Sequence, residues 1–221
     1  MIARLCGAVL VFAPALAAAQ AAGPAGPADR TRLQAFTRSP AYLALLNRVV
    51  SGLPPEVYRR CPALVSNGST VRLMKPVSFG PDGFPVAGSW KQSFPVSGCG
   101  ADTTLNLFIE ATAAGKLNTV VGMPGETQAS PLLQHDAFPF ARTSTLQLAP
   151  DCAAFRVANT RFDRFEAPLK PDRNPPIDPA ARPWRETWTL AGCGKSYDVE
   201  LSFVPQGPGT VIAAAPARPH P

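Results

Sequence analysis

A chain of 221 residues that is 46% apolar and only 16% charged holds enough apolar surface for one ordinary domain or two small ones, and is not a solvated disordered segment. Its formal net charge of +6 is spread thinly, without the dense Lys/Arg run and interleaved aromatics of a nucleic-acid-binding protein. With Pro 26 and Gly 17, it has too many turn formers for a helical protein and reads instead as turns, long loops and extended ends.

The start predicts a secretory signal peptide over residues 1–19. Arg4 supplies the positive end, residues 5–16 the apolar run and Ala17-Ala18-Ala19 the small residues of a cleavage site. The apolar run is short for a membrane span of about 20 residues. Cys6 precedes that run, which argues against a lipoprotein anchor, and no later stretch is long enough to span. The expected product is periplasmic or secreted, with no transmembrane anchor after cleavage near Ala19. Cleavage removes Arg4 and Cys6, so the net charge of +6 becomes +5 and the Cys 5 become four: Cys61, Cys99, Cys152 and Cys193. An even number of cysteines in an exported chain implies disulfides. None of the four has the Cys-x-x-Cys spacing of a redox or zinc site.

Residues 20–28 are rich in Ala, Gly and Pro and read as a mobile leader. Residues 29–60 read as a helical segment. Asp29 caps a helix to Arg38 with Leu33 and Phe36 on one side. Ser39-Pro40 opens a second helix to Val50, in which Tyr42, Leu45, Leu46, Val49 and Val50 recur at helical spacing before Gly52.

Two β units follow, at residues 61–116 and 150–212. In the first, residues 71–79 form a strand that Pro76 pushes to a sheet edge, and Gly80-Pro81-Asp82-Gly83 is a turn. Trp90, Gln92, Phe94 and Val96 then share one face, and the side of the strand at Pro95 is left unpaired. Leu105, Leu107 and Ile109 line the next strand. In the second unit, residues 155–165 supply the early strand. Trp184, Glu186, Trp188 and Leu190 share a face of the middle one, and Tyr197, Val199, Leu201 and Phe203 a face of the last. The stretch 90–100 aligns without a gap on 184–194, and Thr103, Leu105, Leu107 and Ile109 then fall on Tyr197, Val199, Leu201 and Phe203. The expected fold is α+β: N-terminal helices, then a mostly antiparallel β structure built from two related three-stranded units.

Four cysteines allow three connectivities, and the duplication selects one. Each unit has a cysteine before its first strand and one ending its middle strand, at separations of 38 and 41 residues. The expected bridges are Cys61–Cys99 and Cys152–Cys193, one per unit. The units differ by a Pro-, Asp- and Arg-rich loop at 168–183, read as an insertion. Residues 213–221 are Ala/Pro-rich and read as a disordered tail.

Residues 117–149 connect the units. Pro124-Gly125 is a turn. Ser130-Pro131 starts a helix that Pro139 should limit to about two turns, with Leu132, Leu133, Ala137 and Phe140 toward the core. The stretch Pro124-Gly125-x-Thr127 followed by Pro131-x-Leu133-Gln134-x-Asp136-Ala137, together with Trp184-x-Glu186-x-Trp188 and Cys193-Gly194, resembles a group of uncharacterised exported proteins of proteobacteria. The resemblance spans residues 122–137 and 159–204. It implies export and a bacterial origin and brings no catalytic residue. The chain departs from that group at Ser130, where the group has an aspartate, so no carboxylate role is carried to this position.

His135-Asp136 is the one place with an acid–base character, but neighbours on a helix diverge. His220 lies in the tail, and one interior histidine does not make a metal site. Ser130 is a cap rather than a nucleophile, and no Gly-x-Ser-x-Gly elbow is present. Glu110, Glu126 and Glu186 cannot be paired from sequence as a glycosidase dyad, and there is no phosphate loop or dinucleotide fingerprint. Trp90, Trp184 and Trp188 either stack on a sugar or pack inward, and their shared face with Leu190 favours packing. Neither a cofactor nor a metal is expected. The reading is a non-catalytic binding or interaction module of the bacterial envelope, its partner an envelope protein or polysaccharide and not nucleic acid, with His135, Asp136, Trp90, Trp184 and Trp188 as candidate functional residues. The alternative is a small periplasmic enzyme or an inhibitor-type stress protein with an unrecognised site.

Overall fold

Local capping starts two of the three helices among the described residues. The computed structural model describes residues 27–51, 65–66, 68–97, 103–167 and 182–221. The expected signal peptide, Cys61, Cys99 and nearly all of the 168–183 loop lie outside the described residues. Helix α1 spans Pro27–Phe36 and α2 spans Pro40–Ser51. Ser39 caps α2, its hydroxyl accepting from the Tyr42 amide at 3.3 Å, with proline at the first helical position. Leu33, Tyr42 and Leu46 point inward from these helices and pack with Val77, Trp90, Leu107, Ile109 and Ala111 in one core.

Helix α3 spans Pro131–Leu146, and the Ser130 hydroxyl accepts from the Leu133 amide at 3.3 Å. Its 16 residues pass through Pro139, so the expected stop after two turns is wrong. Proline removes only the bond to the carbonyl four residues back, that of His135. His135 and Pro139 both lie on the exposed side, where water serves the freed carbonyl. The buried stripe is Gln134, Ala137, Ala141, Ser144 and Thr145. These small and polar residues let the helix lie close to its sheet. Leu132 and Phe140, expected inside, fall off that stripe and are exposed.

The strands form two antiparallel sheets. The first holds β1 (Val65–Ser66), β2 (Thr70–Phe79), β3 (Pro85–Ser97), β4 (Thr103–Thr112) and β5 (Lys116–Val121). The second holds β6 (Arg156–Phe165), β7 (Trp184–Gly192), β8 (Lys195–Gln206), β9 (Gly209–Ala214) and β10 (Arg218–Pro219). Each contains a meander of four strands, β2-β3-β4-β5 and β6-β7-β8-β9, where three were expected. The extra strands β5 and β9 are edges of 6 residues each. The expected disordered tail at 213–221 is also corrected. β9 runs into it, β10 pairs with Asp198 and Tyr197, and the His220 amide donates to the Ser196 carbonyl at 2.9 Å. Composition does not report such pairing, because the free edge of β8 supplies the partners.

Proline positions follow the ladders. Pro95 opposes Thr104 of β4. On its other side, β2 begins at Thr70 opposite Ser93 and β1 ends at Ser66 opposite Val96, so Pro95 falls in the gap between them. Pro76 lies in the irregular half of β2, which pairs with β3 alone among the described residues. β7 turns into β8 through Cys193-Gly194, both at positive φ (50° and 75°), as a two-residue hairpin requires. A disulfide joins Cys193 at that tip to Cys152, with 5.8 Å between Cα atoms.

Residues 122–126 join the sheets. Along β4, the amides of Gly122 and Gly125 each donate at 2.8 Å, to the carbonyls of Asn106 and Thr104. On the opposite edge the Thr160 amide donates to Pro124 at 2.8 Å and the Glu126 amide to Thr160 at 2.7 Å, making a parallel bridge to β6. Gly125 is required there: its φ is +96°, and a Cβ would sit 2.1 Å from the Thr160 carbonyl oxygen. The connector thus acts as a strand shared by both sheets. Among the described residues no helix is long and apolar enough to cross a membrane.

Candidate functional site

The two sequence stretches that carry the resemblance meet at one carboxylate. Alternation along β7 turns Trp184, Glu186, Trp188 and Leu190 toward α3, so Glu186 is drawn inside with its apolar neighbours and is 0% exposed. A buried carboxylate is tolerated only when its acceptor sites are filled. Four donors fill them. The Thr127 hydroxyl donates to Oε2 at 2.8 Å and the Gln128 amide to Oε1 at 2.7 Å. The indoles of Trp184 and Trp188 donate to Oε1 and Oε2, each at 2.9 Å.

The segment 123–129 is held from every side. The Lys91 ammonium, on the face of β3 opposite Trp90, donates to the Thr127 carbonyl at 2.7 Å and lies 5.8 Å from the centroid of the Phe108 ring. Lys91 is only 7% exposed. Burial, reinforced by neighbouring Arg72 and partly offset by Glu186 and Glu126, pushes its pKa down to about 8. Arg72 faces Lys91 across the β2–β3 pair and donates to the Gln128 side chain. Burial lowers the Arg72 pKa, against the pull of Glu186. The Asn106 amide donates to the carbonyls of Met123 at 2.8 Å and Gly125 at 2.7 Å. From α3, Gln134 accepts from the Met123 amide at 2.8 Å and donates to the Ala129 carbonyl at 2.9 Å.

The first sheet has a related arrangement at Gln92. Trp90 donates its indole N–H to the Tyr42 hydroxyl at 3.1 Å, Tyr42 donates to Gln92 Oε1 at 2.5 Å, and Gln92 Nε2 donates to Ser69 at 3.0 Å. Burial pushes the Tyr42 phenol up to about 12, partly offset by the Trp90 bond. These polar groups are engaged with one another, so both clusters fasten distant chain segments together.

The sequence-predicted candidates are dispersed. His135 and Asp136 are exposed on the outer side of α3. No group of three His, Cys, Asp or Glu side chains able to hold a metal occurs among the described residues. Trp90 and Trp188 are fully buried, so neither ring offers a face to a sugar. Trp184 is half-buried, stacked on Phe203 at 4.9 Å and 8°. Sequence reasoning missed Arg72, Lys91, Gln92 and Thr127 as parts of a site. The available signal was a polar side chain on an otherwise apolar strand face at Gln92 and Glu186.

The face of the second sheet turned away from α3 is different. Arg185, Thr187 and Thr189 of β7 point there, opposite Arg161, Arg164, Asp198 and Glu200 of the flanking strands. Arg161 pairs with Asp163 at 2.8 Å, and Thr187 donates to Asp163 at 2.7 Å. Arg185 binds Glu166 at 2.6 Å and also Glu200. Thr189 donates to Asp198 at 2.7 Å, and His220 Nδ1 lies 3.0 Å from the same carboxylate. Hydrogen bonds to these carboxylates raise the pKa of Arg161 and Arg185, and the Arg185 contact lowers that of Glu166. No helix covers this face among the described residues. It is a charged surface on which Arg161 is exposed, Arg185 and Glu200 are half-buried and Thr187 is buried.

Comparison with protein-family models, with curated proteins and with solved structures gives no match.

Proposed function

We propose that this chain is an exported protein of the bacterial envelope that binds a partner without transforming it. The observation that carries this reading is the open face of β6-β7-β8, where Arg161, Arg185, Asp163, Asp198 and Glu200 are held in fixed geometry by mutual bonds. Preorganised charges of both signs suit a protein surface, since they set register and reject wrong partners. The burial of Trp90 and Trp188 favours a protein partner over a polysaccharide. Export is supported by the start of the sequence and by the Cys152–Cys193 bridge, which persists in oxidising compartments. The resemblance to exported proteobacterial proteins agrees with this.

The same reading includes an ancestral duplication, with Cys61–Cys99 as the second bridge. Its support extends to the helices. Ser39-Pro40 and Ser130-Pro131 cap α2 and α3 in the same way, and Ser39 to Cys61 and Ser130 to Cys152 each span 22 positions. Trp90 opposes Ile109 as Trp184 opposes Phe203, which is the register that the sequence alignment requires.

The test is capture from envelope extract by the mature protein, beside a polysaccharide pellet assay. A protein captured by wild type and lost with Arg161→Ala plus Arg185→Ala supports the reading. Pelleting with polysaccharide, unaffected by those changes, overturns the choice of partner. N-terminal sequencing should find Gln20 at the start of the exported form. Mapping under non-reducing conditions should find Cys61 joined to Cys99.

A further inference from the structure

A groove of about 560 Å³ runs between α1 and β2. Arg30 and Gln34 line it from α1, Arg38 from the turn that follows, and Ser69, Val71 and Arg72 from the start of β2 and the residue before it. Leu33 and Leu73 add apolar surface. Three features of this groove converge on one class of ligand.

The first is a strand edge. Among the described residues β2 pairs with β3 alone. An unpaired edge presents a row of N–H and C=O groups that template another strand. The part of β2 from Lys75 to Phe79 is broken by register shifts, whereas Thr70, Val71, Arg72 and Leu73 pair without interruption on Ser93 to Trp90. The regular part is the part that faces the groove.

The second is the wall. A helix lying beside a free strand edge makes a slot in which an extended peptide can gain main-chain hydrogen bonds from the strand and side-chain contacts from the helix. Val71, 39% exposed, gives such a peptide an apolar contact.

The third is charge. Arg30 and Arg38 line the slot, and among the described residues neither forms an ion pair with a carboxylate. The Arg72 side chain lies on the other face of β2, where it donates to Gln128. The chain's own residues 52–64 contain Glu56 against Arg59 and Arg60, so they do not complement these two arginines.

We propose that this groove binds an acidic peptide segment of a partner protein in extended form, added as a strand to the edge of β2 with its carboxylates on Arg30 and Arg38. Side chains of an extended peptide alternate, so acidic residues at every second position would face the arginines together. This rests on the reading of the chain as a binding module and names the chemistry of one partner segment.

Fluorescence anisotropy on the full mature chain tests it, with a labelled octapeptide alternating glutamate and valine as probe. The alternating peptide should bind, and its lysine counterpart should not. Arg30 is exposed on α1 and Arg38 in the turn that follows it, and Arg30→Ser and Arg38→Ser should each weaken binding by about tenfold, the loss of one charge-assisted contact. Methylating alternate backbone amides of the peptide should abolish binding in one of the two registers. Absence of binding, binding indifferent to both arginine changes, or full binding of both methylated peptides would overturn the proposal. So would preferential binding to vesicles of anionic phospholipid, which would assign the arginines to a membrane surface. If the peptide fails while wild type still captures an envelope protein through Arg161 and Arg185, the groove proposal falls and the binding-module reading stands.

Discussion

Thr127 and Glu186 stand 59 residues apart in the chain and are joined by a 2.8 Å hydrogen bond from the hydroxyl to Oε2. That contact fastens the connector to the second sheet, and Glu186 has no exposure to solvent. Glu186→Gln would place an amide N–H₂ against groups that are themselves donors. Leaving a buried donor unsatisfied costs about 1–3 kcal/mol, so with two donors at each oxygen the variant should lose about 2–4 kcal/mol. Urea denaturation followed by tryptophan fluorescence measures it, since the indoles of Trp184 and Trp188 are among the donors. A variant as stable as wild type would show that the clasp contributes nothing.

Gly125 and Gly115 make a matched pair. Both have positive φ, +96° and +67°, but a Cβ at Gly115 meets nothing within 4 Å, whereas one at Gly125 meets the Thr160 oxygen at 2.1 Å. Gly115→Ala should cost about 1 kcal/mol, the backbone penalty alone. Gly125→Ala should cost about 3 kcal/mol or more, because the strand bridge to β6 must shift. Thermal melts of the two variants give the comparison, and equal losses would refute the shared-strand account.

The Cys152–Cys193 bridge closes a separation of 41 residues, for which the chain-entropy model gives about 4 kcal/mol. Cys152→Ser combined with Cys193→Ser should therefore lower the denaturant midpoint sharply while leaving the β-rich circular dichroism spectrum in place. An unchanged midpoint would mean that packing of α3 on the sheet suffices to hold the β7–β8 tip.

Two buried groups set opposite pH trends. Lys91 falls from 10.5 to about 8 in the folded protein, so between those values the unfolded chain binds more protons, and stability rises with pH across that window. Tyr42 rises from 10.0 to about 12. Here the folded state holds the extra proton, and the stability it contributes below pH 10 is lost as pH climbs toward 12. Stability measured by denaturation at stepped pH should thus gain above pH 8 and fall above pH 10. Lys91→Met should remove the gain and Tyr42→Phe should soften the fall. A Lys91→Met profile parallel to wild type between pH 8 and pH 10 would refute the assignment.

The helix starts at Ser39 and Ser130, the faces of β3, β4, β7 and β8 and the Cys152–Cys193 pairing were legible in the amino-acid sequence. Each depends on short-range regularity or on spacing. A cap needs one side chain and an amide three residues on, and a strand face needs only alternation. Tertiary structure decided the rest: the connector as a strand between two sheets, the passage of α3 through Pro139, the pairing of residues 213–221 on β8, and the clasp of Arg72, Lys91 and Thr127 around Glu186. Hydrophobic periodicity shows which residues avoid water. It is silent on which distant group completes a buried hydrogen bond, and in this protein that choice, made by Thr127 for Glu186 and by Gly125 for Thr160, brings the two sheets together.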